Sequence, residues 1–159
     1  MIVKGIVDED LTNYKKPAML IATARCTFKC DVLNGCKICQ NSHLINKPDI
    51  GISNKELIDR YLSNSLTSSV VVAGLEPLDQ FSELISFIKD FREVSNDDIV
   101  IYTGYTDSEV RLTGQRQILC TFPNIVVKYG RFIKDRPHHI DDVLGVELAS
   151  ENQYAERIS

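Results

Sequence analysis

The chain has 159 residues, 43% hydrophobic and 25% charged, the balance of a folded globular protein with a core of its own. Its net charge of −4 argues against nucleic acid or an anionic membrane as the main partner, since both demand clustered Lys and Arg. Apolar runs such as 19–22 and 70–73 are far too short to cross a bilayer, and the opening MIVKGIVDED has no apolar stretch of a signal peptide. A cytoplasmic location, and one domain over 1–159, are therefore expected.

The predicted elements alternate. Residues 17–22 (PAMLIA) read as a strand that runs straight into a cysteine-rich loop. Ser53 and Glu56 have the spacing of a capping box, and Leu57, Ile58, Tyr61 and Leu62 follow at helical spacing. Residues 69–73 (SVVVA) form a second strand. Phe81, Leu84, Ile85, Ile88 and Phe91 then repeat as the buried face of a helix, and the aromatic positions Phe81, Phe87 and Phe91 read as core. Residues 98–102 (DIVIY) are a third strand. Thr106 and Glu109 form a second capping box that opens a more polar helix, and 124–128 (NIVVK) are a fourth strand. Residues 130–145 are charged and irregular, and read as a loop over one end of the sheet.

This β-α-β-α-β-α-β order builds a mostly parallel α/β sheet with crossover helices. The strands are apolar throughout, as expected where both faces are covered. Ligands in such sheets sit at the carboxyl ends of the strands. Three unusual segments follow those ends: the cysteine loop, Gly74-Leu75-Glu76-Pro77, and Thr103-Gly104-Tyr105.

Cys26, Cys30, Cys36 and Cys39 fall in one stretch, CTFKCDVLNGCKIC. In a reducing compartment clustered thiols bind metal or do redox chemistry more often than they form disulfides. Structural zinc usually takes two CxxC-like knuckles on either side of a longer loop, and here only Cys36 and Cys39 have that spacing. An iron–sulfur cluster tolerates irregular spacing and is favoured. The fifth thiol, Cys120, follows Ile118-Leu119 and reads as buried and inert. His138 and His139 read as solvated, and His43 as loop.

The ordered motifs resemble a known family. Cys26 to Cys30 has the CxxxC spacing that opens the motif of radical S-adenosylmethionine (SAM) enzymes. Cys39-Gln40-Asn41 is similar to the third cysteine and following Asn of the activating proteins of anaerobic ribonucleoside-triphosphate reductase. Residues 73–77 (AGLEP) resemble that family's GGEP segment, and 101–105 (IYTGY) its YTGY. Residues 128–133 (KYGRFI) resemble its D-G-x-F/Y-I stretch, and 148–153 (LASENQ) its terminal S-x-N-Q. The chain departs from the family's CxxxCxxC: with Cys39 as third cysteine the spacing is CxxxC-x8-C, and with Cys36 it is CxxxC-x5-C.

The resemblance implies an incomplete (β/α) barrel of the radical SAM type. It implies a [4Fe–4S] cluster on Cys26, Cys30 and Cys39, with Cys36 a spare thiol or a fourth ligand. It implies that S-adenosyl-L-methionine chelates the remaining iron and is bound by Gly74, Glu76, Pro77, Thr103, Gly104 and Tyr105. No side chain is singled out as catalytic. The implied activity is hydrogen abstraction that leaves a glycyl radical on an anaerobic ribonucleoside-triphosphate reductase, with flavodoxin or ferredoxin as electron donor. A radical SAM enzyme with another protein or peptide substrate, and a non-enzymatic iron–sulfur or zinc module, are the alternatives.

Overall fold

The computed structural model describes all 159 residues. Nine strands and five helices make up the chain. β1 (Ile2–Asp10) and β2 (Ala18–Thr23) open it, followed by α1 (Lys29–Asn34), β3 (Ile50–Gly51), α2 (Asn54–Ser63), β4 (Ser69–Gly74) and α3 (Phe81–Arg92). Then come β5 (Asp98–Tyr102), α4 (Asp107–Leu112), α5 (Gln115–Leu119), β6 (Ile125–Tyr129), β7 (His139–Asp141), β8 (Val146–Leu148) and β9 (Tyr154–Arg157). Seven strands form one sheet in the order β3-β1-β2-β4-β5-β6-β9, while β7 and β8 pair separately. The four central strands, β2, β4, β5 and β6, are parallel, with Leu20 opposite Val71, Val71 opposite Val100 and Val100 opposite Val126.

The strands are apolar on both sides for two different reasons. Val70, Val72, Ile99, Ile101, Ile125 and Val127 face a core built with α2, α3, α4 and α5. There α3 buries Leu84, Phe87, Ile88 and Phe91 completely, each contributing about 1.5–3 kcal/mol of burial. The alternate residues Val71, Val100 and Val126 face a smaller core with Tyr14, Leu144, Leu148 and Ala155, which no helix joins. Further along the same strands this helix-free face carries Leu20, Ala22, Ala73, Tyr102 and Lys128, which line an open cavity.

Both expected capping boxes are present. Ser53 and Thr106 accept from the Glu56 and Glu109 amides, and the glutamates reach back to the cap amides. The expected polar helix divides at Thr113-Gly114 into α4 and α5, because Gly114 takes a left-handed conformation with φ 77°.

Several elements differ from expectation. β1 pairs antiparallel with β2, although its mixed polar and apolar sequence suggested no element. β9 pairs antiparallel with β6 through the polar sequence YAER. Both lie toward the sheet's edges, where one side of the strand needs no apolar partner. The segment expected as an irregular loop over 130–145 contains β7, which pairs with β8. Cys120 is exposed rather than buried: α5 turns Leu119 inward, and the next position points outward, its thiol donating weakly to the Ile158 carbonyl at 3.5 Å. No helix is long and apolar enough to cross a membrane.

Candidate metal centre

The loop after β2 is fastened to the turn after β4. The Ala24 and Arg25 amides donate to Gln80 Oε1 at 2.6 and 2.9 Å, and the Thr27 amide donates to Asp79 Oδ2 at 2.7 Å. The Glu76 amide returns a bond to the Arg25 carbonyl at 2.8 Å. Cys26 stands on this fixed base, its Sγ accepting from the Phe28 amide at 3.2 Å. Phe28 adopts a left-handed conformation, and α1 begins at the next residue with Cys30 in its first turn.

α1 stops at Gly35, also left-handed, and the chain reverses. Asp31 Oδ1 accepts from the amides of Ile38 and Cys39, both at 2.9 Å. That carboxylate folds the eight-residue spacer back onto the helix. Asn41 then donates to the Gly74 carbonyl at 2.7 Å, fastening the end of the loop to β4.

Cys26, Cys30 and Cys39 all line one cavity of about 530 Å³ at the carboxyl ends of the parallel strands. Cys36 lies outside it, exposed on the outer turn. No three Cys, His, Asp or Glu side chains are gathered tightly enough to grip a single metal ion. A four-iron cluster makes a different demand, because each thiolate takes a separate iron. Three half-buried thiols around one cavity fit that larger body, and the donor set is the soft one iron–sulfur clusters select.

Burial pushes the Cys26 thiol up to about 12, despite the Phe28 amide, with Glu76 and Asp79 adding negative charge. Burial also raises Cys30 and Cys39, against hydrogen bonds from the Phe132 and Asn41 amides. Without metal the thiols hold their protons. Binding a thiophilic centre must displace them, so its assembly depends on pH.

The expected cofactor-binding residues sit across the cavity. Gly74, Glu76, Thr103, Gly104 and Tyr105 line it; Pro77 does not, being buried at the first position of a 3-10 turn that leads into α3. Glu76 is buried, with all its contacts internal. Oε1 accepts from the Thr103 hydroxyl at 2.7 Å and the Leu78 amide at 3.1 Å, and Oε2 accepts from the Gly104 amide at 2.8 Å. Burial pushes Glu76 up to about 7, and these three donors hold it back from rising further. It therefore braces the end of β4 against the end of β5. Gly74, with φ 96°, lies so close to β2 that a Cβ would meet Ala22 Cα and the Thr23 nitrogen at 2.8 Å. Tyr105 donates to Asp79 Oδ1 at 2.6 Å, with Lys29 Nζ 4.3 Å above its ring.

The sequence reading missed the fasteners: Asp31, Asp79, Gln80 and Asn34, which donates to the Cys30 and Phe132 carbonyls. Short polar residues in loops carry no pattern that separates a clamp from a solvated side chain. It also missed Lys128, where a charged residue interrupting NIVVKY was a usable signal. His43 lines the cavity while remaining exposed, and His138 is exposed beside Glu147 at 3.6 Å.

A family model described as "4Fe-4S single cluster domain" matches residues 19–153. That span runs from β2 to the last residue before β9 and contains all three cavity thiols. No curated protein and no solved structure gives a significant match.

Proposed function

The chain belongs to the 4Fe-4S single cluster domain family, and from that premise we propose that it is a radical SAM activase. Its substrate would be an anaerobic ribonucleoside-triphosphate reductase, on which it generates a glycyl radical. One observation carries this reading: a CxxxC-x8-C set of thiols shares a cavity with the strand-end segments at 74–76 and 103–105. Three thiolates leave one iron of a cubane without a protein ligand, the open position that separates a reactive centre from a structural one.

Cys26, Cys30 and Cys39 would hold the cluster. When bound, a reduced cluster would supply the one electron for reductive cleavage of a carbon–sulfur bond of SAM. The chain's residues do the positioning. The Glu76 brace holds the Gly104 amide and Thr103 in fixed places beside the thiols. The Asp79–Tyr105 bond holds the ring that flanks the opening. About 530 Å³ lies within the range of pockets that enclose a ligand of SAM's size.

The open sheet, with α2, α3, α4 and α5 all on one face, reads as an incomplete barrel. Its helix-free face is where a large protein substrate would present a glycine-bearing loop. A small acidic electron carrier such as flavodoxin or ferredoxin would deliver the electron.

Anaerobic reconstitution with iron and sulfide, followed by dithionite and SAM, tests the reading. The expected result is a reduced-cluster paramagnetic resonance signal that changes on adding SAM, release of 5′-deoxyadenosine, and a glycyl radical signal on mixing with the reductase. A signal indifferent to SAM, with no 5′-deoxyadenosine, overturns it.

A further inference from the structure

Arg131 lies where the chain leaves β6 and passes beside the cysteine loop, and its backbone is fixed on three sides. The Gly130 amide donates to the Tyr105 carbonyl at 3.0 Å, Asn152 Nδ2 to the Arg131 carbonyl at 2.8 Å, and Asn34 Nδ2 to the Phe132 carbonyl at 3.2 Å. The Arg131 side chain is only 14% exposed. It shares the wall at Gly104 with Cys30: a Cβ there would lie 3.5 Å from Arg131 Cγ and 3.7 Å from Cys30 Sγ. Its guanidinium donates to Glu109 at 2.7 Å and stands 5.5 Å from the centre of the Tyr105 ring.

Cys30 receives two influences from this segment. The Phe132 amide donates to its sulfur, and Arg131 is the cation that acts on it most strongly, ahead of Lys128; both hold down the rise that burial imposes. Glu109 is 36% exposed, so water screens its charge more than it screens the guanidinium. An iron–sulfur cluster on thiolates is an anion, and reduction adds one negative charge. Its potential answers to net charge and to hydrogen bonds on its sulfurs. A guanidinium fixed beside one of the ligands therefore stabilises the reduced form more than the oxidised one.

We propose that Arg131, held by Glu109, sets the reduction potential of the cluster on Cys26, Cys30 and Cys39 and makes that cluster easier to reduce. It touches no reacting atom and acts through the Cys30 ligand, as a positioned charge. One electron enters the oxidised cluster from an external one-electron reductant, with no bond made or broken and no proton moved. The role rests on the three-thiol site described above and needs neither SAM nor a reductase.

The test is a potentiometric titration of the anaerobically reconstituted protein with dithionite, without SAM, read by the paramagnetic resonance signal of the reduced cluster. The proteins are the parent, Arg131→Met, Arg131→Gln, Arg131→Lys and, as a remote change of the same charge, Arg60→Met on α2, where Arg60 pairs with Asp8 at the surface. At a fixed solution potential the ratio of reduced to oxidised cluster should fall about tenfold in the two neutral Arg131 variants, a shift of about 59 mV to more negative potential for one electron. Arg131→Lys keeps the charge and Arg60→Met changes only a screened one, so both should stay within about twofold of the parent. Iron and sulfide content should match the parent's in every variant, and if the methionine variant retains no cluster the glutamine variant carries the comparison. Loss of iron from both neutral variants, an unchanged potential in them, or a shift as large in Arg131→Lys or Arg60→Met overturns the role. A parent that assembles no four-iron cluster overturns it together with the site, whereas a cluster that titrates as expected but ignores SAM removes only the function proposed above.

Discussion

Asp31 and Cys39 lie eight positions apart, yet Asp31 Oδ1 accepts the Cys39 amide directly at 2.9 Å, together with that of Ile38. The stretched spacer is therefore a closed loop, reversed at Gly35 and fastened by one carboxylate. It brings Cys39 to the same cavity as Cys30 and leaves Cys36 outside. The departure from CxxxCxxC thus changes the path of the chain between two thiols that still share one cavity.

The clamp makes a prediction. Asp31→Ala removes two charge-assisted bonds, each contributing on the order of 1.5–3 kcal/mol to the loop's closed form. Iron and sulfide retained after anaerobic reconstitution should fall by more than half. The melting temperature should move little, because α1 buries no residue in either core. Retention of full iron content would show that the loop closes without the clamp.

Cys39 and Cys36 separate by the same measurement. Cys39→Ala should lose the cluster's absorbance and most of its iron, while Cys36→Ala should keep both. Alkylation of the metal-free protein should reach Cys36 and Cys120, the exposed thiols, before Cys26, Cys30 and Cys39. Loss of iron on Cys36→Ala alone would reverse the assignment.

The parallel sheet was legible because β2, β4, β5 and β6 are short and apolar and are separated by helices that announce themselves, α2 and α4 through capping boxes and α3 through its apolar periodicity. β1 and β9 were not. An antiparallel strand near an edge needs only a half-buried pattern, and Lys4, Asp8 and Glu156 disguise it. Segments 26–39, 74–77 and 103–105 could be placed at one end of the sheet from topology alone. What holds them together could not, because Asp79 and Gln80 act on residues more than fifty positions away, and Asp31 is a short polar residue with no pattern that marks it as a clamp. The bracing role of Glu76 was not legible either, since a lone Glu between Leu and Pro gives no sign that three donors await it. Cys120 failed for a subtler reason: one residue beyond an inward Leu119 is enough to reverse its direction.

Glu76 should be a stability residue as well as a cavity one. Glu76→Gln keeps the shape but turns an amide donor toward either the Gly104 amide or the Thr103–Leu78 pair. Leaving a buried donor without an acceptor costs about 1–3 kcal/mol, a drop of about 2–10 °C in melting temperature for a chain of this size. SAM binding should weaken in the same variant, because the Gly104 and Thr103 positions depend on the brace. A variant with parental melting and binding would remove Glu76 from both roles.

Asp98 sets a pH dependence far from the cavity. It is buried, at the start of β5, and accepts from Tyr14 at 2.9 Å, Lys16 at 2.7 Å and Arg157 at 2.8 Å. Burial alone would raise its pKa, but the three donors outweigh burial and hold it below the usual carboxylate range. The folded value thus lies below the unfolded one, about 3.9. Its contribution is therefore fully present above that pH and disappears as pH falls through the folded value. At pH 7 Asp98→Asn should be less stable than the parent by about 1–3 kcal/mol, the range for charge-assisted bonds in a partly buried setting. Urea midpoints measured from pH 7 down to pH 3 should converge as the parent's carboxylate protonates, the parent falling more steeply than the variant. A stability gap that stays constant across that range would mean that Asp98 does not titrate below its unfolded value, and that its three donors act through packing alone.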